Sequence, residues 1–285
     1  MSKIIVGDLH IKESELQELD RIFEKDILPI SADEFLQVGD WFHSNKPTPK
    51  EQVFSVELIQ KLKKQFKKVT ILSGNGKHDI LNGTSAIEYF RVLGVNCVVG
   101  DHIEDNILYG HWMVQESEHA FGHFRCSAKD LKQYKYVFLG HEHKPQDMGN
   151  VFHVGSVRYT SFGEVGDGGK RLIMLKDDGS LEFIPLNATI PMVEVNDIKE
   201  LDNLSPDTKA CLVFSTFESF KKNINKLSDY KDRFVKFKTK CEFDSITKQE
   251  KPQFKNKTDI IKNYLDKITD EEIKSILIKE FDKCK

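Results

Sequence analysis

The stretch Val38-Gly39-Asp40-Trp41-Phe42-His43-Ser44-Asn45-Lys46-Pro47 decides the fold predicted for this chain of 285 residues. It continues the mostly apolar run Glu34-Phe35-Leu36-Gln37-Val38, which predicts a short strand. Gly39 ends that strand, so Asp40 stands at its carboxyl end. Open α/β sheets gather their ligands at the carboxyl ends of the strands. We therefore expect Asp40 to lie in the functional site.

Four more apolar runs end in glycine followed by Asp, Asn or His. The segments are Gly7-Asp8-Leu9-His10, Gly74-Asn75-Gly76-Lys77-His78-Asp79, Gly110-His111-Trp112 and Gly140-His141-Glu142-His143. In an extended segment alternate residues face the same way, so Asp8 and His10 can reach one ion. Carboxylate, amide and imidazole ligands together suit two hard or borderline cations. The pattern predicts that all five strand ends converge on one two-metal site.

The carboxylate of Asp40 is expected to bridge the two ions. The first ion takes Asp8, His10, Asp40 and His143, and the second takes Asp40, Asn75, His111 and His141. Such a pair lowers the pKa of a bound water and clamps a phosphoryl oxygen. His78 is then left to stabilise developing charge or to protonate the leaving oxygen. Asp79 is expected to orient an imidazole.

The remaining histidines could belong to the site or be ordinary surface or core residues. His123 competes with His111 for one ligand position, and His111 is preferred because Ile107-Leu108-Tyr109 is the better strand. His102, His119 and His153 fit ordinary surface or core histidines. His43 fits that description too, although its place in the Asp40 segment also makes it a candidate substrate contact.

Alternating strands and helices over residues 1–186 predict an α/β fold. Ser14 with Gln17 is a capping-box signal for a helix whose buried stripe is Leu16, Leu19, Ile22 and Phe23. Pro49 opens a second helix with Val53, Val56, Ile59, Leu62 and Phe66 on one face. Shorter helices are expected at 84–93 and near 127–134.

The pattern changes after Pro191, where shorter elements follow. Strands at 192–195, 211–214 and 234–237, with a helix near 217–227, predict a small α+β module over residues 187–243. Residues 244–285 are expected to form a lysine-rich linker and two amphipathic helices. Their apolar stripes fit a partner-docking surface or packing back on the parent domain equally well.

Composition favours a globular protein without a membrane span. Apolar residues make up 39% and charged residues 31%, and no apolar run is long enough to cross a bilayer. The chain enters a strand at Lys3, so no signal peptide is expected. Five widely spaced cysteines without a Cys-x-x-Cys pair predict a reduced, cytoplasmic setting. A net charge of −3 argues against nucleic-acid binding by bulk charge, but not against a local basic groove.

The ordered series of Asp-x-His, Gly-Asp, Asn, Gly-His and Gly-His-x-His resembles the calcineurin-like metallophosphoesterase superfamily. The resemblance implies a four-layer β-sandwich flanked by helices. Finer features of three segments are similar to the SbcD-type DNA repair nucleases. These segments are the one around Asp40, Gly140-His141-Glu142-His143-Lys144-Pro145-Gln146 and Gly155-Ser156-Val157-Arg158-Tyr159-Thr160-Ser161-Phe162-Gly163-Glu164. The resemblance is strong over residues 1–186 and weak over the small module, which would correspond to a DNA-capping domain.

This resemblance implies a manganese-dependent DNA exonuclease and endonuclease subunit, with magnesium, iron or zinc as other possible ions. Its partner would be an SbcC-type coiled-coil ATPase gripped by the tail, and the short tail is similar to that of phage-encoded members. Family members dimerise through helices matching 51–66 and 84–93. His43 and Arg158 are candidate substrate contacts, and Lys77, which has no counterpart in the family pattern, is a further candidate that could contact the phosphate.

Two departures from the family pattern leave alternatives open. The family has Asn and His adjacent, whereas Gly76 and Lys77 separate Asn75 from His78 here, which puts the reach of His78 in question. The segment between Asp79 and His111 is also shorter than in cellular members. A phosphoesterase acting on small esters is one alternative function. A weakly catalytic or non-catalytic scaffold is the other, and it depends on the Gly76-Lys77 insertion.

Overall fold

The computed structural model describes residues 1–242. Within them the strands are β1 (Lys3–Val6), β2 (Glu34–Gln37), β3 (Lys68–Leu72), β4 (Ile80–Leu81), β5 (Thr84–Ser85), β6 (Asn96–Val98), β7 (His102–Glu104), β8 (Ile107–Gly110), β9 (Tyr136–Leu139), β10 (Gln146–Met148), β11 (Val151–His153), β12 (Arg171–Leu175), β13 (Leu181–Pro185), β14 (Met192–Val195), β15 (Lys209–Phe214) and β16 (Lys236–Cys241). The α-helices are α1 (Leu16–Ile22), α2 (Pro49–Gln65), α3 (Phe217–Asn223) and α4 (Ser228–Lys231).

Two sheets form the core of the α/β fold. The first has the order β13-β12-β1-β2-β3-β6, and the second has the order β10-β11-β9-β8-β7. Apolar side chains from both sheets pack in one buried cluster that includes Ile5, Leu36, Tyr109 and Phe138. Each sheet therefore buries one face against the other, which is how a β-sandwich excludes water from its centre.

Further layers cover the outer faces of the two sheets. α1 and α2 pack on the first sheet through Leu19, Ile22, Ile59 and Leu62, which are buried with Phe35. α2 begins at a capping box in which Thr48 and Glu51 exchange hydrogen bonds. A 3-10 turn at Ala128–Leu131 and its neighbouring loop cover the second sheet. The predicted four-layer α/β sandwich is confirmed.

Parallel pairing is what brings the functional segments to one edge. β1, β2 and β3 run parallel to one another in the first sheet, and β8 and β9 run parallel in the second. The carboxyl ends of parallel strands meet at the same edge. The five segments singled out in the sequence follow these five strands.

The small module contains a sheet with the order β14-β15-β16. β15 is buried along its whole length, and β14 pairs parallel to it. Contacts group Met1–Val213 with Asn223–Lys240 in one unit, and Phe214–Lys222 with Cys241 and Glu242 in another. The proposed boundary between residues 186 and 187 stays a prediction, and the predicted tail helices at 244–285 lie outside the described residues. Among the described residues, no helix is both long and apolar enough to span a membrane.

Several predicted elements need correction. α1 follows a 3-10 turn at Glu13–Glu15 and has no side-chain cap, so the capping role given to Ser14 was wrong. The helix expected at 84–93 is β5 followed by a 3-10 helix at Glu88–Leu93. The helix near 127–134 is the 3-10 turn already described. Val53 is 58% exposed rather than on the buried face of α2.

In the small module the boundaries differ from those predicted. β15 starts two residues earlier than expected, at Lys209, and β16 begins at Lys236 rather than at Phe234. The helix predicted near 217–227 consists of α3 and a 3-10 turn at Ile224–Lys226, and α4 follows it. These shifts leave the order of the elements unchanged.

Candidate metal centre

Three of the five polar segments at the sheet edge contain a residue with an uncommon backbone conformation. Asp40 (φ 52°), His10 (φ 47°) and His141 (φ 79°) all lie in the left-handed region, which is uncommon for residues other than glycine. Backbone strain of this kind concentrates at functional sites, where the surrounding structure must hold it. Here the carbonyl of Asp40 accepts hydrogen bonds from Leu9 N (3.1 Å) and His10 N (3.0 Å), so the first two loops support each other.

Glycines allow the loops to approach closely around Asp40. A Cβ built on Gly74 would lie 1.9 Å from Asp40 Oδ1 and 2.4 Å from Asp40 N. One built on Gly39, where φ is 99°, would lie 2.3 Å from Nδ1 of His111. Any side chain at these positions would displace the donors, so the glycines are a steric requirement of the site.

The structure brings the side chains into two groups of potential metal donors. Asp8, His10 and His143 form the first donor group, and Asp40, His111 and His141 form the second. Within each group the donor atoms lie within 4.8 Å of one another. Both groups combine a carboxylate with two imidazoles, which are ligand types that accept Mn²⁺, Fe²⁺ or Zn²⁺.

Asp40 lies between the two groups. Its Oδ1 is 3.2 Å from His111 Nε2, and its Oδ2 is 3.8 Å from His10 Nε2. One oxygen therefore faces each group, which is the arrangement that a bridging carboxylate needs. Asn75 also contacts Asp40, with Nδ2 3.3 Å from Oδ2. Its Oδ1 accepts from Lys77 N, so in this orientation the amide oxygen expected to bind metal faces away from Asp40.

Hydrogen bonds on the far side of two imidazoles fix which nitrogen faces the centre. Nδ1 of His111 donates to the carbonyl of Val38 (2.8 Å), which leaves Nε2 toward Asp40. Nδ1 of His143 donates to Glu164 Oε1 (3.1 Å), which leaves Nε2 toward Asp8. Metal-binding histidines usually have such a partner, because it sets the tautomer and the ring orientation.

Burial and neighbouring charges together raise the pKa values of Asp8 and His111 and lower the pKa of His10. Burial raises the pKa of Asp8, and the nearby Asp40 charge adds to this. Burial opposes protonation of His111, but the carboxylates of Asp8 and Asp40 outweigh it and raise its pKa to about 9. Burial lowers the pKa of His10, and the neighbouring His143 lowers it further. The carboxylates of Asp8 and Asp40 therefore repel each other, and a bound cation would reduce this repulsion.

The donor set fits divalent metal ions. Nε2 of His10 and Nε2 of His143 face each other at 2.8 Å, Nδ1 of His10 is buried with no hydrogen-bond partner among the described residues, and Nε2 of His111 has only the ion-pair contact with Asp40. Buried imidazole nitrogens are normally satisfied, and a metal ion is one of the partners that satisfy them. We therefore treat the two donor groups as the candidate metal centre.

His78 reaches this centre despite the Gly76-Lys77 insertion. Its Nδ1 donates to the carbonyl of His43 (2.6 Å), and its Nε2 lies 3.9 Å from Asp40 Oδ2. The ring lies edge to face with His10, with centroids 4.6 Å apart. The insertion is accommodated by a turn in which the amides of His78 and Asp79 bond back to Asn75 O. His10, His43 and His78 also form a third cluster of donor atoms.

Two predicted roles do not match the geometry. Within residues 1–242, Asp79 makes no hydrogen bond or ion pair with an imidazole; its buried carboxylate accepts from the backbone amides of Trp41, Phe42 and Gly74 at 2.7 to 3.1 Å. It therefore holds the loops after β2 and β3 together, and its burial raises its pKa to about 6. Arg158 was expected to contact substrate, but it is 2% exposed and donates to the carbonyl of His10 (2.8 Å). It lies beneath the site and supports the backbone of a candidate ligand.

A cleft of about 430 Å³ opens over the first donor group. Its walls include the candidate substrate contacts His43 and Lys77, together with His78, His119 and Glu164. His123, the competitor of His111, lines a second cleft of about 360 Å³ and belongs to neither donor group. His153, by contrast, is fully buried in the core, as the ordinary interpretation predicted.

Sequence reasoning missed Glu164 as a supporting residue. Besides His143, this carboxylate binds the ammonium of Lys170 (2.8 Å), which is itself buried. Ser161 and Glu164 form a capping box at a short 3-10 turn. That local signal is readable in the sequence, but it does not reveal the contact with a histidine 21 residues away.

The first half of the chain matches a known protein family. Residues 1–145 match the protein family described as calcineurin-like phosphoesterase. A comparison with curated proteins finds no significant match. Similar solved structures include YfcE, a phosphoesterase from E. coli, at 17% identity and a TM-score of 0.37, covering 66% of this chain and 100% of that one.

Two other solved structures have similar scores. They are the Pseudomonas putida nuclease MPE (16% identity, TM-score 0.32, 65% of this chain and 87% of that one) and a cold-active protein-tyrosine phosphatase of a psychrophilic Shewanella sp. (11%, 0.39, 64% and 80%). Identities and TM-scores at this level do not identify a substrate for this chain.

Proposed function

Because the chain belongs to the calcineurin-like phosphoesterase family, a family of metal-dependent hydrolases, we propose that it hydrolyses phosphodiester bonds in DNA. The single observation that carries the proposal is the pair of donor groups that share Asp40. Asp8, His10, Asp40 and His143 would hold one divalent ion, and Asp40, Asn75, His111 and His141 the other. Asn75 would have to turn its amide oxygen inward to do so.

Manganese is the ion we favour, because a mixed oxygen and nitrogen donor set without thiolates suits it. When bound, two such ions lower the pKa of a water and stabilise charge on both sides of an in-line displacement. The protein needs no serine or cysteine nucleophile for this reaction.

The residues around the ions supply orientation and protons. His78 is fixed through Nδ1 by His43 O, so Nε2 is the nitrogen available to protonate the leaving oxygen. Lys77 and His43 line the cleft, where we propose that they contact the phosphate strand. Glu164 and the carbonyl of Val38 keep His143 and His111 turned toward the centre.

The narrower proposal is an SbcD-type nuclease subunit. The segments around Asp40, His141 and Arg158 support it by their similarity to those nucleases. An SbcC-type ATPase is the proposed partner of the tail, and the chain would work in the reducing cytoplasm. A homodimer through α2 is also proposed, supported by exposed Val53 and Tyr89, which line one cleft with Pro49 and Val56.

The direct test is cleavage of labelled DNA by the purified protein with manganese. Asp8→Ala should abolish cleavage, because Asp8 is a buried ligand candidate. Asp178→Ala, an exposed carboxylate in the β12–β13 turn, is the matched control and should cleave like the wild type. Equal cleavage by Asp8→Ala would refute the assignment. Turnover of small phosphoesters without any action on DNA would instead favour the small-ester alternative.

A further inference from the structure

His119 is held in a way that the proposed reaction does not use. It lies on the loop between β8 and β9, where its ring lines the cleft over the first donor group. Its Nδ1 donates to Glu142 Oε1 (2.9 Å), and its backbone N–H donates to Glu142 Oε2 (3.3 Å). Both bonds fix the residue to a single carboxylate, so the ring has little freedom to turn.

Glu142 is a built support rather than a surface contact. It is 2% exposed and lies in the chain between the candidate ligands His141 and His143. Its third hydrogen bond comes from Lys144 N (3.1 Å). A buried carboxylate is costly unless it is fully paired, and here much of its pairing is with His119. Through Glu142, the His119 ring is therefore held in a fixed position relative to His141 and His143.

The free nitrogen of His119 is a donor with no protein partner among the described residues. Because Nδ1 faces Glu142, Nε2 is on the opposite side of the ring, and the side chain is 38% exposed. The hydrogen bond to Glu142 raises the pKa of His119, which favours the charged imidazolium. The neighbouring carboxylate of Glu118 pairs with Lys144 at 2.6 Å. It therefore competes only weakly with a bound anion for the imidazolium of His119. Asp167 lines the same cleft and is the remaining carboxylate near the ring.

We propose that Nε2 of His119 binds the phosphate adjacent to the one being cleaved. The inference rests on the proposed function, since the scissile phosphate must occupy the metal centre. A cleft of about 430 Å³ has room for more than one phosphate group beside the donors. A polynucleotide carries a second phosphate next to the first, whereas a simple phosphomonoester does not. His119 would thus select substrates that carry at least two phosphates.

The test is a binding comparison that needs no turnover. Thymidine 3′,5′-bisphosphate and thymidine 5′-monophosphate are titrated into the manganese-loaded full chain by calorimetry. The wild type should bind the bisphosphate about tenfold more tightly, which is the contribution of one charge-assisted hydrogen bond at a partly exposed site. In His119→Gln this preference should fall close to one, because glutamine can bond to Glu142 but carries no charge toward the cleft.

His123→Gln is the matched control, since it removes another imidazole from the same loop on the side of the second cleft. It should keep the wild-type preference for the bisphosphate. An unchanged preference in His119→Gln, an equal loss in His123→Gln, or equal binding of both nucleotides by the wild type would each overturn the proposal. A protein that binds the bisphosphate preferentially but cleaves no DNA would instead contradict the proposed function.

Discussion

The two donor groups contain the same residue types, but different parts of the protein support them. In the first group His143 donates to the side chain of Glu164, whereas in the second His111 donates to the backbone carbonyl of Val38. A carboxylate partner makes an imidazole a more basic ligand than a carbonyl partner does. The first group therefore depends on a side chain that a substitution can remove. The second depends on the backbone of Val38, directly after β2.

Asp40→Asn should have the largest effect, because this residue serves both groups. We expect manganese stoichiometry to fall from two ions to at most one. Hydrolysis should fall by about a thousandfold, since a metal contributes several kcal/mol of transition-state stabilisation. Elemental analysis of the dialysed protein and initial rates measure the two quantities, with Asp178→Asn as control. Two bound ions with full turnover would exclude a shared carboxylate.

Gly74→Ala should damage the second group through the backbone. The added Cβ would meet both the carboxylate and the amide of Asp40, so the loop must shift, at a cost of about 3 kcal/mol. Gly76→Ala is the matched control two residues away, where a Cβ meets nothing within 4 Å. Urea unfolding and manganese titration of both variants test this. Similar behaviour of the two alanine variants would contradict the steric argument.

Glu164→Gln should weaken the first group and spare the second. Loss of such a supporting carboxylate typically lowers metal affinity by about 10- to 100-fold. One of the two manganese sites should weaken by this factor, while the other keeps its wild-type affinity. Because Lys170 would lose its ion-pair partner, thermal unfolding must be followed alongside the titration. Equal weakening of both sites would mean that the two groups do not have separate supports.

The candidate donors were predictable because each directly follows a strand in the chain. Asp40, Asn75 and His141 needed only an apolar run, a glycine and the rule that parallel strands end at one edge. The supports were not predictable in this way. Glu164 and Arg158 act on residues 21 and 148 positions away, and no local pattern records such contacts. Asp79 looked like a partner for an imidazole because sequence cannot show that three backbone amides surround it.

The misassigned helix at 84–93 has a related cause. Ile87, Phe90 and Leu93 recur every three residues, a spacing that suits a 3-10 helix as well as one face of an α-helix. Gly94 ends the segment in the left-handed conformation at φ 75°. Periodicity therefore identified the buried residues Ile87 and Phe90 correctly while leaving the type of helix undecided.

The smallest expected effect concerns the loop that follows His111, and it is measured as a dependence of stability on pH. Ser117 Oγ accepts from Val114 N (3.2 Å) and donates to Nε2 of His153 (2.6 Å), so this buried imidazole anchors the loop in its neutral form. Burial lowers the pKa of His153 from 6.5 to about 4. The unfolded chain therefore binds a proton that the folded chain does not, and stability falls as pH drops from about 6.5 to about 4.

The full cost corresponds to about 3 kcal/mol below pH 4, and more than half of it is already present at pH 5. Asp79 and His111, whose pKa values are raised on folding, act in the opposite direction, so the contribution of His153 is measured as a difference between variants. Urea unfolding of the metal-free protein at pH 5 and pH 7.5 should show the wild type losing more stability on acidification than His153→Gln, whereas His123→Gln, an exposed histidine of the same loop, should behave like the wild type. If His153→Gln keeps the full acid sensitivity, the neutral imidazole is not what ties the loop of the second group to the core.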